Sequence, residues 1–471
     1  MRYISTRHGR AAATSRQFDE ILLTGMAPDG GLYVPQRLPR YRAAWFEALR
    51  GLSYAEIAAR VTQPFLGNAV PAAEWRRMIE EAYRPFTHPA VAPLRQLDAG
   101  LWLLELFHGP TLAFKDYALQ LVGPLFDRVL RKRRRRVTII GATSGDTGSA
   151  AIEACRDREA IDLFMLYPAG RISDVQRRQM TTVPAHNVHA VAVEGTFDDC
   201  QDLVKAMFAD AAFRDELGLS AVNSINWARI MAQSVYYVAA AVALGAPAHD
   251  VAFAVPTGNF GNVYAAHVAR RMGLPIARLA IATNRNDILT RFFTDGTMSL
   301  GTVESTISPS MDIQVSSNFE RFFFELSGNS GTKTAAAFTH FRASGTLPTT
   351  KRQWQAARAL FQAERVDDDS TRATMGALYR ATDVLIDPHT AVALTAARRV
   401  KREPATPMVV VGTAHPAKFP DAVMAACGVR PMPPPRLANL TALPERRVSL
   451  PNDLAAVQHF VRAHVRQGVA A

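Results

Sequence analysis

The chain has 471 residues, with 54 Lys and Arg against 42 Asp and Glu, 48% hydrophobic residues and 3 Cys. That length predicts roughly two to three domains, and the apolar content excludes a wholly disordered chain. No apolar run approaches the roughly 18 residues of a membrane span, and no signal-peptide stretch follows Met1-Arg2-Tyr3-Ile4-Ser5.

Taken in chain order, residues 1–95 form a first region of mixed character. Pro28-Asp29-Gly30-Gly31 reads as a turn leading into an extended Leu32-Tyr33-Val34-Pro35. Ser53 and Glu56 stand three apart, the spacing of a capping box. Beyond this region strands alternate with helices. Strands are predicted at 101–106, 137–140, 163–167, 188–193, 251–255, 279–283 and 408–411, and helices at 149–157, 197–210, 228–244 and 263–272. Short, nearly all-apolar strands separated by helices indicate parallel sheets covered on both faces, an α/β fold. The core falls at 96–405, with a mostly helical insert around 330–405, and a strand and helix segment at 406–471 completes it.

Half of the net charge of +12 sits in one run, Arg131-Lys132-Arg133-Arg134-Arg135-Arg136, just before the strand at 137–140. Cations at the negative end of a helix dipole explain it as a solvated helix end. A polyanion patch is the rival, but no aromatic or amide side chains are interleaved for base readout, which weighs against nucleic acid. Cys155, Cys200 and Cys427 are scattered and form no C-x-x-C pair. A disulfide framework or a zinc site is therefore not expected, and a reducing cytoplasm is.

Three Gly-rich turns each follow a strand and precede a helix, where ligands collect in open α/β sheets. They are Gly141-Ala-Thr-Ser-Gly-Asp-Thr-Gly148, Pro256-Thr-Gly-Asn-Phe-Gly-Asn262 and Gly412-Thr-Ala-His-Pro-Ala-Lys418. In the second, Gly258 and Gly261 let the backbone approach a ligand, and its amides with those of the new helix make an anion nest suited to phosphate. A tight connection with no ligand is the alternative. No Gly-Lys dipeptide occurs, so it is not a Walker loop, and it is not G-x-G-x-x-G. The Asp146-Thr147-Gly148 stretch resembles an aspartic-protease strand only superficially, because no second such stretch exists to share a proton.

Lysine is scarce: seven residues against 47 Arg. Lys115 stands apart in Leu106-Phe107-His108-Gly109-Pro110-Thr111-Leu112-Ala113-Phe114-Lys115-Asp116, an aromatic, turn-rich setting just after a strand. An ammonium near apolar walls loses solvation, which frees a nucleophilic amine for Schiff-base chemistry. Pairing with Asp116 or snorkelling to water is the bland reading. A lysine, a separate phosphate nest and a third polar turn together are what pyridoxal phosphate requires of a protein.

With these motifs, and with Gly30 to Pro35, Val222-Asn-Ser-Ile-Asn-Trp-Ala-Arg-Ile230, Ser308-Pro-Ser-Met-Asp-Ile-Gln-Val-Ser-Ser-Asn-Phe-Glu-Arg321 and Asp387-Pro-His-Thr390, the chain resembles the threonine synthases of the longer bacterial and fungal branch over essentially its whole length. It departs at Ala391-Val392-Ala393, where that family has a Val-Gly ending. The resemblance implies a fold-type II pyridoxal-phosphate enzyme, tryptophan synthase β-like, with two α/β domains and a helical insert. Residues 1–95 would be the family's N-terminal region. The implied reaction turns O-phospho-L-homoserine and water into L-threonine and phosphate by γ-elimination and β-addition.

Carried over position by position, Lys115 would be the Schiff-base lysine and main proton shuttle. Gly258, Asn259, Phe260, Gly261 and Asn262 would hold the cofactor phosphate, and Thr413 would meet the ring nitrogen. Asp146 would stand beside the phenolic oxygen, where shorter-branch relatives have Asn; a carboxylate there must be protonated or face the Schiff-base proton. Ser144, Thr147, Ser317, Asn318 and Arg321 would contact the substrate, with Ser316 and Lys418 as further candidates. His108 either orients Lys115 or closes the Gly109-Pro110 turn, and Asn223, Asn226 and Trp227 read as a buried amide network before a helix. No metal, membrane or nucleic-acid partner is expected, and a monomer or homodimer is. The rivals are a lyase on the same scaffold that releases 2-oxobutyrate, and a catalytically dead basic binding protein.

Overall fold

A six-stranded and a five-stranded sheet organise the chain, each within its own unit of a computed structural model that describes residues 1–9, 15–220 and 224–466. The first unit comprises Met1–His108 and Ser224–Pro431, the second Gly109–Asn223 and Met432–Ala471.

In the first unit the strand order is Phe361–Arg365, Ile276–Thr283, Val251–Pro256, Met408–Gly412, Leu101–Glu105, Leu94–Asp98. All neighbours are parallel except the last pair, an antiparallel edge. Val251–Pro256 and Met408–Gly412 are buried along their whole length, as continuous apolar runs in a covered parallel sheet must be. Ala252, Ala254 and Ala280 keep one face low, and the helix Pro388–Arg399 packs there through Ala391, Val392 and Leu394. Each large side chain so buried contributes about 1.5–3 kcal/mol. Ser53 accepts from the Glu56 amide and Glu56 answers at the Ser53 amide, the expected box, starting the helix Tyr54–Leu66. Tyr33–Pro35, after the Gly30 turn, pairs with Tyr3–Ser5.

In the second unit the order is Arg447–Leu450, Val188–Val193, Ile161–Pro168, Val137–Ala142, Leu219–Ser220, all parallel. The basic run is an exposed helix end: Lys115–Lys132 closes at Arg133, and residues 131–135 are exposed. Arg136 turns inward to Asp162 at 3.3 Å.

The seven predicted strands are all present, most extended by one to three residues, because the ladder continues into the turns. The region 330–405 holds four helices, Gly331–Ser344, Lys351–Arg358, Asp368–Thr382 and Pro388–Arg399, but it also supplies the edge strand Phe361–Arg365. That strand pairs on one side only and alternates weakly, so its sequence carries little strand signal. The helix expected from residue 149 starts at Asp146, since Thr143 Oγ1 accepts from the amides of Gly145 and Gly148 and winds the turn early.

Candidate active site

In the second unit Lys115 is the first residue of the helix Lys115–Lys132 and is buried. Its Nζ lies 3.7 Å from Asp146 Oδ2 and 5.5 Å from the Phe114 ring centre. Burial excludes the snorkelling alternative. The Asp116 carboxylate closes its own loop, accepting from the Thr111 amide at 2.8 Å and hydroxyl at 2.6 Å. Asp146 opens the helix Asp146–Cys155, and its other oxygen accepts from Gln176 Nε2 at 3.0 Å. Gly145 sits at φ +134°, and a Cβ there would stand 2.4 Å from Gln176, so the turn needs glycine to keep that amide beside Asp146. Ser144 and Thr147 are half-buried, and their hydroxyls make no hydrogen bond among the described residues.

In the first unit the turn after Val251–Pro256 leads into the helix Gly261–Arg271. Its carbonyls are taken: Ser316 Oγ donates to Gly258 O at 2.7 Å, and the Asn318 amide and Nδ2 donate to Asn259 O at 3.1 and 3.0 Å. Its amides are not, for those at 258–262 donate to no acceptor among the described residues. Gly258, Asn259 and Gly261 are half-buried and Phe260 and Asn262 buried, and backbone donors left free at a helix N-terminus suit an anion. Phe260 holds a left-handed φ of +63°, which costs a non-glycine residue about 1–2 kcal/mol. Its ring is pinned among Phe293, Phe319, Phe322 and Phe361, which offsets that cost. A Cβ at Gly258 would press on Ser310 O at 3.2 Å, and one at Gly261 on Asn318 Nδ2 at 3.2 Å.

The sequence-predicted residues of this unit separate into two groups. Ser317, half-buried, donates to Asn259 Oδ1 at 3.2 Å on the turn itself. Asn318 and Arg321 lie behind it. Arg321 is fully buried and donates to Tyr33 O at 3.0 Å, to Ile225 O at 2.5 Å and to Asn318 Oδ1. Burial lowers its pKa to about 10. Thr413, after Met408–Gly412, is buried; its amide donates to Thr390 Oγ1 at 3.2 Å and its hydroxyl has no partner among the described residues. Lys418 is fully buried on the same turn, where His415, held neutral by burial with a pKa near about 4, caps the Ala417 amide through Nδ1. His108 pairs with Glu105 at 2.8 Å while its carbonyl accepts from Thr87. Of the expected amide network, Asn226 caps the helix Trp227–Ala243 and donates to Leu22 O, whereas Trp227 Nε1 is buried with no hydrogen-bond partner among the described residues and Asn223 lies outside them.

One buried charge was not anticipated from the sequence. Arg229 is buried on Trp227–Ala243, and its Nε and Nη1 have no hydrogen-bond partner among the described residues. Burial lowers its pKa to about 10. Gln233 and Tyr236 share its helical row, and Tyr236 and Tyr237 both donate to Asn262 Oδ1, at 2.5 and 2.7 Å. Asn262 Nδ2 is buried and unpaired. The signal in the sequence was a polar row at three- and four-residue spacing inside an otherwise apolar helix. No group of three or more potential metal ligands occurs among the described residues, and no helix is long and apolar enough to cross a membrane.

Comparison with known proteins fits this geometry. Residues 2–83 match the family model for the threonine synthase N terminus, 86–413 that for pyridoxal-phosphate dependent enzymes, and 390–461 that for the threonine synthase C-terminal region. The chain is 53% identical to the threonine synthase of Pseudomonas aeruginosa over 99% of both chains. It superimposes on the crystal structure of the PLP-bound threonine synthase from Brucella melitensis with a TM-score of 0.96 and 51% identity, covering 99% of this chain and 100% of that one. With the yeast threonine synthase structure the TM-score is 0.93 at 37% identity, over 98% of each chain. Each unit by itself carries groups whose chemistry would suit such a cofactor: a buried amine in the second, and amides and a hydroxyl without partners among the described residues in the first. The chain belongs to the threonine synthase family of pyridoxal-phosphate-dependent enzymes.

Proposed function

We propose that this chain performs the last step of threonine biosynthesis, converting O-phospho-L-homoserine and water to L-threonine and phosphate, with Lys115 holding pyridoxal phosphate through Nζ. The observation that carries the reading is the row of unpaired amides at 258–262, a phosphate cradle braced from behind by Ser316 and Asn318. When bound, the cofactor stabilises negative charge on substrate carbons adjoining its ring. The chain's own groups do the rest. Lys115 Nζ takes the α-proton as a free amine and returns protons as an ammonium, with Asp146 as the nearby counter-charge. Gln176 fixes the Asp146 carboxylate so that one oxygen keeps facing Nζ. Thr413 offers the ring nitrogen a neutral hydroxyl.

The substrate brings a phosphate and a carboxylate. Ser144 and Thr147 are proposed to bind them with hydroxyl donors, Ser317 with its hydroxyl once that turns from Asn259 Oδ1, and Arg229 with the charge, since an unpaired buried guanidinium is expensive unless an anion arrives. Arg321 and Asn318, expected from the sequence to meet the substrate, are proposed instead to brace the Asn259 carbonyl. The three cysteines are free, in keeping with a reducing cytoplasm, where we place the chain as a monomer or homodimer.

The test is a product assay on purified protein supplied with cofactor and O-phospho-L-homoserine. Threonine and phosphate should appear in equal amounts. Accumulation of 2-oxobutyrate in place of threonine would assign the lyase reaction, and no visible cofactor band would end the reading.

A further inference from the structure

Asp387 belongs to none of the groups assigned so far, yet it is fully buried and saturated with donors. Its Oδ1 accepts from the His389 amide at 2.9 Å and from His389 Nδ1 at 2.8 Å. Its Oδ2 accepts from the Thr390 amide at 3.3 Å and from the Thr390 hydroxyl. A helix cap needs only the amides. The two side-chain bonds lead elsewhere.

The first arm runs through His389. Because Nδ1–H donates to Asp387, Nε2 keeps its lone pair, and it accepts from the Ser310 amide at 3.2 Å. Ser310 and Met311 are the backbone against which Gly258 packs. The second arm runs through Thr390. Its hydroxyl donates to Asp387, so its lone pair faces the Thr413 amide, which donates to it at 3.2 Å. One carboxylate therefore fixes a donor on the wall of the phosphate turn and another on the turn that carries Thr413.

We propose that Asp387 is a positioning residue for the cofactor, holding the Gly258 turn through His389 and Ser310 and aiming the Thr413 hydroxyl through Thr390. The inference rests on reading 258–262 and Thr413 as cofactor contacts. Asp387→Asn keeps a helix cap, since Asn caps as well as Asp, but puts an NH2 where Thr390 needs an acceptor. Thr390→Val removes the relay with little change in shape, and Thr390→Ser restores the hydroxyl.

The experiment compares these full-length holoenzymes, with Thr413→Val as reference, by three measurements: cofactor dissociation, the visible band of the bound cofactor and its pH dependence, and the melting temperature of the cofactor-free protein. Asp387→Asn and Thr390→Val should each weaken cofactor retention by about tenfold or more. They should shift the band's pH dependence in the direction seen for Thr413→Val, while Thr390→Ser stays near the parent. Cofactor-free Thr390→Val should melt modestly below the parent, since Asp387 and the Thr413 amide each lose a partner, and Thr390→Ser should recover the loss. If Thr413→Val moves the band and Thr390→Val does not, Asp387 is a helix cap and the inference falls alone. If Thr413→Val moves nothing, the ring-nitrogen reading fails and takes the inference with it. Should Asp387→Asn not fold, the Thr390 pair still decides.

Discussion

Lys115 Nζ lies 3.7 Å from Asp146 Oδ2, and each residue is the first of its helix. An ammonium at a helix N-terminus meets the positive end of the dipole, so a carboxylate at the second N-terminus is its natural counter-charge. The Asp146 carboxylate thus offsets the charge of a buried ammonium at this helix start.

Lys115→Ala should abolish the visible band of bound cofactor and lower turnover by on the order of 10²–10⁴. The circular dichroism spectrum should stay that of a folded α/β protein. Retained colour with full activity would remove Lys115 from the reaction.

Asp146→Asn should lower the pH at which the visible band titrates by about one unit or more, because a nearby negative charge favours the protonated form. Gln176→Leu should move it in the same direction by less, since it frees the carboxylate without removing it. A band titrating at the parent pH in Asp146→Asn would show that the ion pair is not sensed by the cofactor.

Arg229→Met should raise the KM for O-phospho-L-homoserine by about 10–100-fold, the worth of a charge-assisted contact of roughly 1.5–3 kcal/mol. The melting temperature should hold or rise, because an unpaired buried charge gives way to apolar volume. A lower melting temperature with an unmoved KM would make the arginine structural.

Glu445 offers a pH prediction away from the chemistry. Hydrogen bonds from Arg177 and Thr181 hold its carboxyl at about 2, below the ordinary range. A folded-state pKa depressed below the unfolded value means that the ionised form favours the fold. Its contribution is full above the unfolded value of about 4.3 and is lost as pH falls toward 2. Glu445→Gln should therefore melt below the parent at neutral pH, and the gap should close on acidification through that window. A gap unchanged at acid pH would refute the assignment.

The strands were legible because buried parallel strands are short, continuous apolar runs, as in Val251–Pro256 and Met408–Gly412. The three Gly-rich turns could be read for the same reason, since each begins where such a run stops. Edge strands could not. Arg447–Leu450 and Phe361–Arg365 each have one neighbour and partly exposed side chains, so their sequences carry no apolar run.

The amino-acid order by itself determined the α/β alternation, the turns and the singular Lys115, because these depend on neighbours in the chain. Tertiary structure alone decided what each arginine does. Arg321 spends its donors on the Tyr33 and Ile225 carbonyls and on Asn318, whereas Arg229, on an equally apolar helix, is left with unpaired nitrogens among the described residues. A guanidinium's role is set by which acceptors the fold brings within about 3 Å, and Tyr33 lies hundreds of residues from Arg321 in sequence.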